Sequence, residues 1–248
     1  MWRSSRVAEI VWSPKVQSVR RNGLGVSCAA DMVAFIREVA RDPVGMGAVF
    51  PSSVQLSQAM TMPVRALAGQ PISVLEAGAG TGAVTRALIA ELPPGSRLDV
   101  IEANPRLAAK LNRIADAQPV ENAQIRVHRT RIEGHQADEP YDVIASCLPL
   151  SNFPPQQVEA IMQRYLTMLH PGGVLIYFSY LGMRWARALV ASREATRRHR
   201  AVDQLLAGFQ GQYGIQSRRV WVNMPPAAVR QLRRPPQLSA EPHHLSMS

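Results

Sequence analysis

A short apolar run, Ile72 to Ala77, ends in the turn Glu76-Ala77-Gly78-Ala79-Gly80-Thr81-Gly82, and a helical pattern from Ala83 to Leu92 follows at once. No other stretch limits the chain's choice of fold as tightly. Glycines at a strand-to-helix turn let the backbone take positive φ and approach a ligand closely, which is how a doubly wound α/β sheet begins. The spacing is Gly-x-Gly-x-Gly, not the Gly-x-Gly-x-x-Gly of dinucleotide sites. Glu76 also stands two residues before the first glycine. A carboxylate there repels a pyrophosphate and suits a cationic ligand.

The alternation continues downstream. Pro93-Pro94-Gly95 breaks the first helix, Leu98 to Glu102 reads as a strand, and Asn104-Pro105 starts a helix with Asn as cap and Pro in its first turn. Ile125 to His128 and Tyr141 to Ser146 read as strands, and Gln156 to Leu169 as an amphipathic helix. His170-Pro171-Gly172-Gly173 turns the chain into the apolar run Val174 to Ser179. Short apolar strands between helices predict a mostly parallel sheet covered on both faces. A helix from about Arg184 to Phe209 and a hairpin around Ile215 to Asn223 close the domain. Upstream, Met32, Phe35, Ile36 and Val39 recur at helical spacing, and a second helix follows Ser53 through Leu56 and Met60. Four regions result: a basic segment 1–28, N-terminal helices 29–70 over the active site, the α/β domain 71–234, and a Pro- and Ser-rich tail 235–248 expected to be disordered.

The formal charge of +10 lies entirely in the two ends. Residues 1–22 carry +4, residues 183–248 carry +8, and the body between them −2. Basic ends on a near-neutral body suit an anionic partner held beside the core, either a membrane surface or RNA. Trp2, Arg3, Arg6, Trp12, Lys15, Arg20 and Arg21 form the aromatic and basic mixture of a segment lying among headgroups. Two cysteines, Cys28 and Cys147, cannot build a disulfide framework, which predicts a reduced, intracellular protein. No uncharged apolar run approaches the roughly 18 residues of a membrane span. No secretory signal is expected. The six histidines have no metal-ligand spacing, and no metal is expected.

Glu102 falls at the end of the second strand, twenty residues beyond Gly82, where its two oxygens can accept both hydroxyls of a ribose. The glycine turn, Glu76, Glu102 and the Pro-Gly-Gly turn before the fifth strand, in that order, resemble the class I methyltransferases. The resemblance implies a Rossmann-like, mostly parallel seven-stranded sheet with an N-terminal helical extension and S-adenosyl-L-methionine as cofactor. It puts Glu76, Gly78, Ala79, Gly80, Thr81, Gly82, Glu102 and Ala103 around that cofactor. The adenine contact after the third strand falls to Thr130, with Arg131 beside it, or to Glu133.

After the fourth strand comes Ser146-Cys147-Leu148-Pro149-Leu150-Ser151-Asn152-Phe153-Pro154. Together with 42–53, Phe178-Ser179-Tyr180 and Val220-Trp221-Val222-Asn223-Met224-Pro225-Pro226-Ala227, it resembles the bacterial soluble-type phospholipid N-methyltransferases. The chain departs from their pattern at Arg129-Thr130-Arg131, Cys147 and Ser151. The resemblance implies methyl transfer to the amine of a phospholipid such as phosphatidylethanolamine, giving methylated derivatives up to phosphatidylcholine. Tyr180, Ser146, Leu148 and Pro149 then hold the acceptor nitrogen, with Asp142 or His128 as a proton relay, and Leu150, Phe153 and Asn223 line the substrate. The enzyme is expected in the cytoplasm, attached peripherally to the inner face of the membrane through an anionic lipid surface, without a nucleic-acid partner. The alternatives are an RNA adenine N-methyltransferase and a methyltransferase for another amine, in an amino-acid-containing lipid or a small molecule. Against RNA, Ser146 and Leu150 stand where adenine methylases carry Asn and an aromatic that stacks on the flipped base.

Overall fold

The structure, a computed structural model, describes residues 54–67, 69–119, 123–181, 193–221, 223 and 226–236. The expected basic segment, the helix near Phe35, residues 184–192 of the expected long helix and the tail beyond 236 lie outside the described residues. Two short helices, α1 (Val54–Met60) and α2 (Met62–Ala66), come first. The sequence reads here as one helix, but Thr61 separates the two and Pro63 sits in the first turn of α2. That is where a residue without an N–H does least harm. Strands and helices then alternate: β1 (Ser73–Ala77), α3 (Ala83–Glu91), β2 (Ser96–Ile101), α4 (Pro105–Asp116), β3 (Ala123–His128) and β4 (Tyr141–Ser146). They continue as α5 (Pro155–Met168), β5 (Leu169–Tyr180), α6 (Arg193–Tyr213), β6 (Gly214–Val220) and β7 (Ala227–Arg233).

The seven strands form one sheet in the order β3-β2-β1-β4-β5-β7-β6. β1 to β5 run parallel, and β7 lies antiparallel to both β5 and β6. Apolar residues fill both faces of the sheet. Val74, Leu98, Val143 and Ile176 pack against α1, α2 and α3, while Leu75, Ile144, Leu175 and Leu232 pack against α5 and α6. Asn104 caps α4 as its sequence predicts, its Oδ1 accepting from Arg106 N and Leu107 N. No helix among the described residues is long and apolar enough to cross a membrane.

Two elements differ from expectation. β5 begins at Leu169, and its Pro-Gly-Gly turn is a bulge within it: Tyr141 pairs with Leu169, but Val143 pairs with Val174. Gly172, at φ 84°, makes the bulge possible. The late hairpin pairs β6 with Ala227–Arg233, beyond the predicted range. Gln231 and Arg230 hide that strand in the sequence, although it lies inside the sheet.

Candidate active site

The order of the strands reverses at β1, which has β2 on one side and β4 on the other. Ligands of open α/β sheets bind in the crevice at the C-terminal ends of such strands. The glycine turn occupies that point. Gly78 and Ala79 donate their N–H groups to Ile101 O at 2.9 and 3.2 Å, which ties the turn to the end of β2. Gly78 and Gly80 have φ of 76° and 58°, a region that L side chains enter at a cost. A Cβ on Gly78 would come within 2.5 Å of the Leu148 side chain. A Cβ on Gly80 would meet nothing within 4 Å. The first glycine thus admits the loop after β4, and the second leaves room above the turn for a ligand.

Glu102 joins the turn to the second strand. Its Oε2 accepts from Gly80 N and its Oε1 from Asn104 N, both at 2.8 Å. Each oxygen keeps a lone pair for a ribose hydroxyl. His128 O accepts from Glu102 N at 3.1 Å and from Thr130 N at 3.0 Å, so the end of β3 holds Glu102 and Thr130 side by side. Of the two candidates for the adenine amine, Thr130 gives its hydroxyl proton to Arg131 O at 3.3 Å, leaving its oxygen to accept. Glu133 accepts instead from Gln157 Nε2 at 2.7 Å, which engages it with α5. Ala103 and Arg131 are exposed, Thr81 is half-buried and Ala79 is buried in the turn.

Glu76 is fully buried. Its Oε1 accepts from the Cys147 thiol at 3.9 Å, and its Oε2 has no hydrogen-bond partner. Burial raises its pKa to about 7, Thr85 and Cys147 offset that in part, and the charge of Glu102 adds to it. A buried carboxyl with an unused oxygen beside an open glycine turn fits a ligand that brings positive charge. S-adenosylmethionine carries such charge on its sulfonium and its amino group, and Glu102 and Thr130 supply the acceptors its ribose and adenine need. The residues fit the cofactor.

The acceptor side is more mixed. Leu148 packs on Gly78, with Pro149 half-buried after it. Tyr180 ends β5, its ring edge-on to Phe178 at 5.3 Å, and burial raises its pKa, so the phenol is neutral. Ser146 pairs with Ala77 at the end of β1, but its side chain is fully buried, and its hydroxyl shares a hydrogen bond of 3.0 Å with the Tyr165 hydroxyl on α5. Leu150 is a core residue, 3% exposed, and Phe153 packs on the same cluster. Asp142 Oδ2 accepts from Ser73 N at 2.8 Å, at the far end of β1 from the glycine turn. Asn223 is buried in the β6–β7 connection.

Sequence reasoning missed one group. Asp99 Oδ1 accepts from His128 Nε2 at 2.7 Å, and its Oδ2 accepts from the Tyr141 hydroxyl at 2.9 Å. With its own proton so used, Tyr141 takes one from His135 Nε2 at 2.9 Å. This chain fixes His128, whose carbonyl braces Glu102 and Thr130. The signal was a lone acid between Leu98 and Val100 in an apolar strand, which burial would force to find donors. Among the described residues no group of three or more His, Cys, Asp or Glu could hold a metal ion.

Residues 75–175 match the sequence profile of a family described as a methyltransferase domain. No curated protein matches the chain. Among solved structures, the O-methyltransferase of Bacillus cereus is similar with a TM-score of 0.56 at 16% identity, covering 82% of this chain and 90% of that one. The N-methyltransferase NodS of Bradyrhizobium japonicum WM9 gives 0.54 at 19% identity, covering 82% and 98%. Magnesium protoporphyrin IX methyltransferase of Synechocystis PCC 6803 gives 0.53 at 14%, covering 84% and 92%. Their substrates differ, and the likeness is one of fold. Sheet order and glycine turn together give the Rossmann-like architecture of class I methyltransferases, and residues 75–175 within it match a methyltransferase domain. S-adenosylmethionine is the cofactor of that domain.

Proposed function

We propose that the protein is an N-methyltransferase acting on the amine headgroup of a membrane phospholipid such as phosphatidylethanolamine. The observation that carries the reading is the contact of Leu148 with Gly78. It sets the Leu148-Pro149 loop, the stretch with the most specific resemblance to phospholipid N-methyltransferases, directly against the cofactor's glycine turn.

S-adenosylmethionine supplies an activated methyl group when bound. The protein's own part is to position a neutral amine, because an ammonium has no lone pair to offer. A lipid amine resembles lysine, with a pKa of roughly 10, and must shed a proton before it reacts. Desolvation against Leu148, Pro149 and the Phe178–Tyr180 pair favours the neutral amine. Tyr180, itself neutral, can accept a hydrogen bond from the nitrogen and keep its lone pair aimed at the glycine turn. The ring face of Tyr180 then favours the methylated cation that forms, by about 0.5–2 kcal/mol.

Tyr180→Phe and Pro149→Ala are expected to lower turnover on phosphatidylethanolamine in mixed micelles by about tenfold or more, as loss of positioning does. Cofactor affinity, measured by calorimetry, should stay within about twofold, because the carboxylates Glu76 and Glu102 keep their hydrogen bonds to Cys147, Gly80 and Asn104. Full turnover in both variants would remove the loop from the acceptor site.

A further inference from the structure

Among the described residues three large hydrophobic side chains are exposed: Val54 at 68%, Ile215 at 45% and Trp221 at 65%. All three belong to one edge of the molecule. Ile215 lies on β6, Trp221 is the residue after it, and Val54 opens α1, which packs on β6 and β7. β6 is one of the two edge strands of the described sheet, and its first six residues are exposed.

The same edge is basic. Arg218 and Arg219 are exposed on β6, and the Arg219 guanidinium lies 5.9 Å from the centre of the Trp221 ring. On α6, which leads into β6, Arg197, Arg198 and Arg200 are exposed. Only Glu194 and Asp203 carry negative charge between 193 and 221.

The edge also meets the cleft. Val220 pairs with Ala227 and Ala227 with Tyr180, so Trp221 stands one residue past the row that ends at the candidate acceptor tyrosine. Leu181 N bonds Pro226 O at 2.6 Å and holds the β6–β7 connection to that end of the sheet.

We propose that this edge docks on an anionic phospholipid surface, with Trp221 at headgroup level beside the mouth of the acceptor cleft. The inference deepens the reading of a lipid amine as acceptor and rests on it. An exposed Trp flanked by arginines is the pairing found where protein meets the membrane–water interface, the indole ring between headgroups and the guanidinium groups on phosphates. The free backbone groups of an edge strand exclude deeper insertion, since hydrocarbon cannot satisfy them. Pairing with the β6 edge of a second copy would bring arginines against arginines, which opposes it. RNA would use the arginines but has no use for the aliphatic Val54 and Ile215.

The test is co-sedimentation of the full chain with vesicles of phosphatidylethanolamine and phosphatidylglycerol, and with vesicles of phosphatidylcholine alone. The native protein should pellet with the anionic vesicles, less so as salt rises, and weakly with the neutral ones. Trp221→Ala should weaken anionic-vesicle binding by about tenfold and the double variant Arg218→Glu/Arg219→Glu by about a hundredfold, with cofactor affinity and melting temperature unchanged. Failure of the native chain to pellet, or equal binding by native and variant proteins, overturns the docking face. So does loss of RNA-oligonucleotide binding in the variants while vesicle binding persists. If the variants lose vesicle binding yet no lipid accepts a methyl group, the docking face stands and the lipid-amine reading falls. If lipid is methylated and the variants bind as the native chain does, the reverse holds.

Discussion

Gly80→Val is expected to weaken S-adenosylmethionine binding by about a hundredfold or more while leaving the fold intact, because it fills the ligand's space and not the protein's. A Cβ at this position meets nothing within 4 Å, so no core atom is displaced. The cost to the fold is the backbone at φ 58°, about 1–2 kcal/mol for a residue other than glycine. For a domain of this size that is about 5 °C in melting temperature. The substituent stands beside the Gly80 N–H that Glu102 grips at 2.8 Å. Calorimetric titration together with a thermal melt separates the two effects. Native-like affinity in the variant would place the cofactor elsewhere.

The second large effect comes from Glu76. Its pKa of about 7 in the folded protein lies above the ordinary carboxyl value of 4.5. The folded state therefore holds the proton more tightly than the unfolded state does. Its contribution to stability is full below the unfolded value and is lost as pH rises through about 7, a change of roughly 3 kcal/mol. A cationic cofactor favours the ionised carboxylate, so binding at pH 7 should release about half a proton. Binding enthalpies in buffers of different ionisation enthalpy read that number directly. Glu76→Gln should abolish the release, flatten stability between pH 5 and pH 8, and weaken the cofactor by about tenfold. A native protein that binds without releasing protons, or a variant that releases as many, would mean that Glu76 does not face the cofactor's charge.

Local grammar made much of this site legible. The glycine spacing, the acid before it and the Asn104-Pro105 cap each depend on residues within one turn of each other, so the sequence states them outright. The partner of Glu133 was not local: Gln157, 24 residues further on, donates to it from α5. Ser146 could have been read correctly. The twofold period of β4 puts it on the same face as Ile144, toward α5 and Tyr165. β7 was missed because Arg230 and Gln231 give a sheet-interior strand a polar sequence, and contact with Ser179 Oγ on β5 holds the arginine there. The Asp99–His128–Tyr141–His135 chain joins three strands and a loop that only the topology brings together.

The most direct measurement is to supply methyl-labelled S-adenosylmethionine to the purified protein with a mixture of bacterial lipid, total RNA and soluble amines, then separate the fractions. Label is expected in the lipid fraction, in methylated derivatives of phosphatidylethanolamine, and is lost with Gly80→Val. Label confined to RNA or to a water-soluble amine, with none in lipid, would contradict it.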